Sequence, residues 1–430
     1  MKLKNVALGL LAAIGATTVF AQSPAVMEGF PPSPESQVTF GNYRTSPFME
    51  WSFRNVGAAL NVVQIPRAGQ IHELNEKHDA ALGKVQVVDA KGNTISVDQL
   101  LEENHTDGFI VLQGDDIVFE KYFNGNSQHY QHIWFSATKS LTSTAFGIFA
   151  DMYEVDLNAS PVKYLPELKD SGFERVTIQD VLNHSTAIDF EENYVDPDSD
   201  FLKYYGPAMN MAYIPGGRDV QPGSTEIYGI YDFLGKFIGE NEALEPGHLF
   251  EYNSANSDVL GWIMSRISGQ AYNEFIQEHL WSKLGTENDA YMAVDRAFMP
   301  ISTGGMNTTL RDAARFGGMI LNRGFYNGQQ IVPSKWVDAS LELEEDDYLR
   351  TSRNPRYADS YQAYKNMWWV LDQEKGEYAA IGIHGQVIYI NRDTETVVSF
   401  FSSQPGASAV GNEHIWSKIY AAQAIAAELK

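Results

Sequence analysis

Two β-patterned stretches stand far apart in this chain, near its two ends, with helical patterns between them. Phe109, Ile110, Val111 and Leu112 precede Gly114-Asp115, and Ile117, Val118 and Phe119 follow it, which is the pattern of a hairpin. Close to the C-terminus, residues 386–390 and 396–402 are again β-rich and are separated by Asn391-Arg392-Asp393-Thr394-Glu395. From residue 176 to about 321, helical periodicities alternate with loops rich in Gly, Pro and Asn, and 312–321 reads as one helix. A last helix places Ile415, Ile419, Ala422, Ala426 and Leu429 on one face. Strands at both ends with helices between them predict an α/β (α+β) fold. Its antiparallel sheet is assembled from both chain ends and flanked by helices, with a mostly helical region of about 150–320 inserted. No fixed-period repeat is visible.

The 430 residues are 44% hydrophobic and 20% charged, as in a folded globular protein. The formal net charge of −24 argues against nucleic acid and against an anionic membrane surface, since both need a basic face. Cysteine is absent, which removes disulfides, thiolate metal sites and thiol nucleophiles. Residues 1–21 read as a cleaved secretory signal: Lys2 and Lys4, an apolar run too short to span a bilayer, then Val19 and Ala21 before the cut. The expected product is periplasmic or secreted, with no membrane anchor. Residues 22–104 read as an N-terminal arm, extended and Pro/Ser/Gly-rich to about 47, and a lead-in. Residues 105–430 form the main domain.

The chemistry centres on Phe135-Ser136-Ala137-Thr138-Lys139, which opens a helix expected over 136–152. Ser136 and Lys139 share a helix face at this spacing. A serine hydroxyl needs a base within hydrogen-bond reach to act as a nucleophile. A lysine made neutral by burial can be that base. The alternative is a helix-capping serine beside a solvated lysine. Two downstream stretches raise the catalytic reading. In Tyr252-Asn253-Ser254 a phenol could relay a proton, or Tyr252 could simply pack. In Ala380-Ile381-Gly382-Ile383-His384-Gly385 the glycines allow close backbone approach, and an N–H there could complete an oxyanion hole with that of Ser136. The alternative for that stretch is a bulged edge strand.

Together these motifs resemble the serine β-lactamase and penicillin-binding protein superfamily. The chain is most similar to its 6-aminohexanoate-dimer (nylon-oligomer) hydrolase and related esterase branch. The resemblance runs from about residue 105 to 405 and includes Trp134-Phe135-Ser136-Ala137-Thr138-Lys139, Asp189-Phe190-Glu191-Glu192-Asn193-Tyr194, Tyr252-Asn253-Ser254 and Gly304-Gly305-Met306-Asn307. It implies a β-lactamase/transpeptidase-like fold and a serine hydrolase without cofactor or metal, acting on a small-molecule amide or ester. By the same resemblance Ser136 is the acylated nucleophile, Lys139 its base and Tyr252 the relay to the leaving group. Ile383 joins Ser136 in the oxyanion hole, Tyr194 closes on substrate, and Asn307 borders the cleft. His384, beside the oxyanion position, is a further substrate-binding candidate.

The departures from that pattern also constrain function. Ala380-Ile381-Gly382 stands where β-lactamases usually carry Lys-Thr-Gly, and Ser254 stands where many class C enzymes have Asn. Both changes favour amide or ester hydrolysis over β-lactamase or D-alanyl carboxypeptidase activity. A non-catalytic binding scaffold is the remaining alternative. Residues 219–241 fit the family poorly and read as an insertion. His72-Glu73-Leu74-Asn75-Glu76 lacks the second histidine of a zinc helix, and Asp196-Pro197-Asp198-Ser199-Asp200 lacks the glycine and glutamate of a calcium loop. Met367-Trp368-Trp369 is either core or cleft wall.

Overall fold

The structure, a computed structural model, describes residues 25–194, 196–211, 227–407 and 412–430. The signal expected over 1–21 lies outside them. Contacts divide the chain into two units, 1–37 and 38–430. In the first, Pro34–Ser36 is a short 3-10 turn. The second contains most of the lead-in, so no break in contacts falls at 104/105. The arm is not extended throughout, because residues 40–48 run through turns into a short helix, Met49–Ser52; Tyr43 there is fully buried and its hydroxyl donates to Met211 O at 2.6 Å.

An eight-stranded sheet organises the larger unit. Its strands are β1 (Asn75–Glu76), β2 (Thr106–Gln113), β3 (Asp116–Tyr122), β4 (Ala363–Lys365), β5 (Trp368–Asp372), β6 (Glu377–Gly382), β7 (Gln386–Asn391) and β8 (Thr396–Ser402). The spatial order is β4-β5-β6-β7-β8-β2-β3-β1. Neighbours are antiparallel except β1, which runs parallel to β3. The sheet therefore closes where β8 pairs with β2, Phe400 opposite Phe109, and joins the two ends of the chain. The β2–β3 hairpin turns through Gly114, whose φ of +58° suits a residue without a Cβ.

Alternation along the strands sends residues to two faces. Phe109, Val111, Val387, Tyr389, Val398 and Phe400 cluster with Leu100 and Leu101 of the helix Val97–Glu103 and with Ala422 and Ile425 of the C-terminal helix. On the other face, Gly317 lies against Val397 and Ile388, so closely that an added Cβ would sit 2.6 Å and 3.1 Å from their side chains. The helices that matter for function are α1 (Thr138–Met152), α2 (Ile178–Asn183), α3 (Ala255–Ser268), α4 (Leu310–Leu321) and α5 (Glu413–Glu428). The helix expected from residue 136 is preceded by a 3-10 turn, Phe135–Ala137. Of 219–241, the helix Ile230–Phe237 packs into the helical region, with Tyr231 stacked on Trp262 of α3 at 4.4 Å; residues 219–226 lie outside the described residues.

Candidate active site

Ser136 sits in a turn that the local sequence alone would not favour. Phe135 has φ +45°, a conformation unfavourable for a bulky side chain. Packing holds it there, because its ring is buried between Phe53 at 5.0 Å and His384 at 5.2 Å. Such strain is retained where the surroundings over-determine it. Ser136 is partly exposed, while Phe135 and Ala137 on either side are buried.

One helical step on, Lys139 is 2% exposed. Its Nζ lies 3.1 Å from Ser136 Oγ and 3.2 Å from Thr303 O, and 4.8 Å from the centre of the Tyr252 ring. Burial pushes its pKa down to about 8, with the carboxylates of Glu192 and Asp258 pulling the other way. A neutral amine is therefore accessible near physiological pH.

Tyr252 lies in the loop just before α3. Its ring stacks on Trp369 of β5 at 5.6 Å, with an interplanar angle of 17°, and meets Tyr364 edge-on at 5.9 Å. Ser136 lies near enough to its phenol to favour the ionised form slightly. Burial, with Tyr364 and Glu192 nearby, raises its pKa well above the ordinary value, so the phenol keeps its proton.

The third stretch ends strand β6, which lies between β5 and β7 and is not an edge strand. Gly382 needs clearance rather than an unusual φ: a Cβ there would lie 2.2 Å from Trp134 O and 3.2 Å from Ala137 N. The missing side chain lets the strand end press against the Ser136 turn, with Ile383 next in line. His384 follows at φ +61°. Both its ring nitrogens are committed to protein, Nδ1 at 2.8 Å from Gln404 O and Nε2 at 3.2 Å from Arg44 Nη2. Burial and Arg44 hold its pKa down at about 3. The substrate-binding role expected of His384 draws no support from these contacts, and its ring also packs against Phe135 at 5.2 Å.

Asn307, expected to border the cleft, follows Thr303 along the chain. It is fully buried in the strand Met306–Thr308, and its Nδ2 donates to Gly305 O at 2.7 Å. The residue of that stretch that reaches the site is Thr303, through its carbonyl. Tyr194 is tied to the site indirectly: its hydroxyl donates to Glu192, whose carboxylate accepts Ser254 N–H at 2.6 Å and Ser254 Oγ–H at 2.9 Å. Glu192, 7% exposed, was missed from sequence although it lies two residues before Tyr194. Trp369 and Tyr364 were missed as site residues too. The Met367-Trp368-Trp369 run was the available signal, and β5 makes Trp369 a wall of the Tyr252 pocket.

Comparison with known proteins agrees with this architecture. A family model described as Beta-lactamase matches residues 97–422. The 6-aminohexanoate-dimer hydrolase of Paenarthrobacter ureafaciens is 31% identical over 379 residues, covering 87% of this chain and 91% of that protein. A solved Bacillus anthracis structure, provisionally described as a 6-aminohexanoate-dimer hydrolase, is 28% identical with a TM-score of 0.79, covering 91% of this chain and 97% of its own. A family VIII carboxylesterase shares the fold at 16% identity, with a TM-score of 0.54 over 77% of this chain and 95% of its own.

Proposed function

The chain belongs to the beta-lactamase family and is a hydrolase, and from that premise we propose that it is an exported serine hydrolase cleaving a small amide or ester through an acyl-enzyme on Ser136. The observation that carries the reading is the buried Lys139 Nζ at 3.1 Å from Ser136 Oγ. Neutral Lys139 takes the hydroxyl proton as Oγ attacks the substrate carbonyl. The N–H groups of Ser136 and Ile383 receive the developing oxyanion. Tyr252, protonated and with its ring 4.8 Å from Lys139 Nζ, passes a proton to the departing amine or alkoxide. Water then cleaves the acyl-enzyme by the same route in reverse. No metal or cofactor is needed for these steps.

The substrate class follows from what lines the cleft and from the relatives. Two of these carry the name 6-aminohexanoate-dimer hydrolase, an amide-cleaving activity, and a carboxylesterase shares the fold. Strand β6 offers no lysine or threonine side chain for a β-lactam carboxylate, and the Glu192 carboxylate adds like charge close to Lys139 and Tyr252. An unpaired buried anion is costly. Neutral or amine-bearing short amides and esters are therefore preferred over β-lactams. The signal pattern of residues 1–21 supports export. Nitrocefin, p-nitrophenyl butyrate, a linear ω-amino acid amide and a D-Ala-D-Ala peptide, assayed with one preparation and with Ser136→Ala as background, test the proposal. We expect kcat/KM for the ester or the ω-amino acid amide to exceed that for nitrocefin by on the order of a hundredfold, the effect of one missing charge-assisted contact. Nitrocefin turnover equal to the ester's would return β-lactamase activity to first place. Absence of fluorophosphonate labelling at Ser136 would favour a binding scaffold.

A further inference from the structure

His184 ends helix α2 in the left-handed conformation, φ +52° and ψ +44°. Glycine or asparagine commonly fills such a helix end, so capping alone does not call for an imidazole. The side chain is fully buried. Its backbone carbonyl accepts the N–H of Glu251 at 2.8 Å, and its Nδ1 accepts the N–H of Asn253 at 3.0 Å. Glu251 and Asn253 are the two residues that flank Tyr252. The His184 ring lies 5.2 Å from the Tyr252 ring and 4.9 Å from that of Tyr364. Because Nδ1 accepts, the ring is neutral with its proton on Nε2, and burial drives its pKa well below the ordinary value.

We propose that His184 is the positioning residue of the Tyr252 relay, clamping the backbone on both sides of the tyrosine so that the phenol stays aligned with Ser136 and the leaving-group atom. This rests on the reading of Tyr252 as proton donor to the leaving group. One residue supplies two anchors from a separate element, one through its main chain and one through its side chain. Removing the imidazole leaves the Asn253 N–H buried and unpaired and frees one side of the Tyr252 loop. The defect should then fall on substrates whose leaving group needs the proton. A p-nitrophenolate departs without one; an alkoxide or an amine does not.

The experiment measures kcat/KM for p-nitrophenyl, phenyl, trifluoroethyl and ethyl butyrate with the parent enzyme, Tyr252→Phe, His184→Gly, His184→Asn and the double variant Tyr252→Phe/His184→Gly. Glycine tolerates the left-handed conformation, so His184→Gly removes the ring without backbone strain. Asparagine tolerates it too and restores an acceptor for Asn253 N–H. The expected result is that His184→Gly costs about tenfold on ethyl butyrate, the equivalent of one hydrogen bond, and threefold or less on the p-nitrophenyl ester. His184→Asn recovers most of that loss, and the double variant has the same leaving-group dependence as Tyr252→Phe alone. A uniform loss across all four esters, or no recovery with asparagine, overturns the proposal. Should His184→Gly not fold, His184→Ser, too short to reach Asn253, takes its place in the same comparison. If Tyr252→Phe itself leaves the leaving-group dependence unchanged, the relay reading fails and the His184 role falls with it; an altered dependence in Tyr252→Phe but not in His184→Gly removes His184 alone.

Discussion

Ser136 and Lys139 are joined by one short distance, 3.1 Å, and the roles proposed for them have separable consequences. Ser136→Ala should abolish fluorophosphonate labelling and reduce turnover by several powers of ten, as in other concerted nucleophile–base sites, while the melting temperature barely moves. More than about a tenth of the parent rate would remove Ser136 as nucleophile. Lys139 must be neutral to accept the proton, so acylation rises with pH through the depressed value of about 8. A pH profile of kcat/KM checks that limb. Lys139→Arg should not restore activity, because guanidinium stays protonated. Gly382 is a residue of clearance: Gly382→Ala would press a methyl onto Trp134 O, 2.2 Å away. Activity should fall more than tenfold through displacement of Ile383, with a stability loss of about 1–3 kcal/mol by thermal melting. Parent-like activity would dissociate Gly382 from the oxyanion site.

Among the elements, helix α5 carries a second buried amine. Lys418 is fully buried, and its Nζ donates to Asn104 O at 2.9 Å and Gln404 Oε1 at 3.3 Å. Gln404 in turn donates its N–H to His384 O and accepts from His384 Nδ1, which links the C-terminal helix to the turn after β6. Burial pushes the Lys418 pKa down to about 7. The folded value lies below the unfolded one, so the unfolded chain binds the proton more tightly and stability rises with pH between about 7 and 10.5. The penalty is fully present below about 7. Lys418→Met removes it. Relative to the parent, that variant should therefore be more stable at pH 6 than at pH 9, by on the order of 2 kcal/mol in paired denaturant melts. An unchanged difference at the two pH values would show that Lys418 does not titrate in this range.

For the molecule as a whole, a net charge of −24 opposes the approach of anions. Screening shortens the reach of that field from about 30 Å at 0.01 M salt to about 3 Å at 1 M. The ratio of kcat/KM for an anionic ester, such as a sulfonated aryl butyrate, to that for its neutral counterpart should rise severalfold over that range. A flat ratio would confine discrimination to the cleft.

Much of the architecture was legible because its signals are local. Apolar runs on both sides of Gly114-Asp115 made the β2–β3 hairpin legible, Thr396–Ser402 appeared as a strand, and the α5 face was readable by helical periodicity. The Ser136–Lys139 spacing made their proximity legible, although the 3-10 turn that carries Ser136 is held by packing of Phe135 against Phe53 and His384. Other features depended on contacts between distant segments. Tyr252 is held by His184, Trp369 and Tyr364, from separate elements whose relative placement no window of sequence encodes. The surroundings of His384 and Asn307 were not legible, because a polar residue beside a motif looks alike in sequence whether it faces a cleft or a buried carbonyl. Only packing against Gln404, Arg44 and Gly305 decides which. The depressed pKa of Lys139 belongs to the same class: the amine was visible in the chain, and its charge state was set by the burial that tertiary structure imposes.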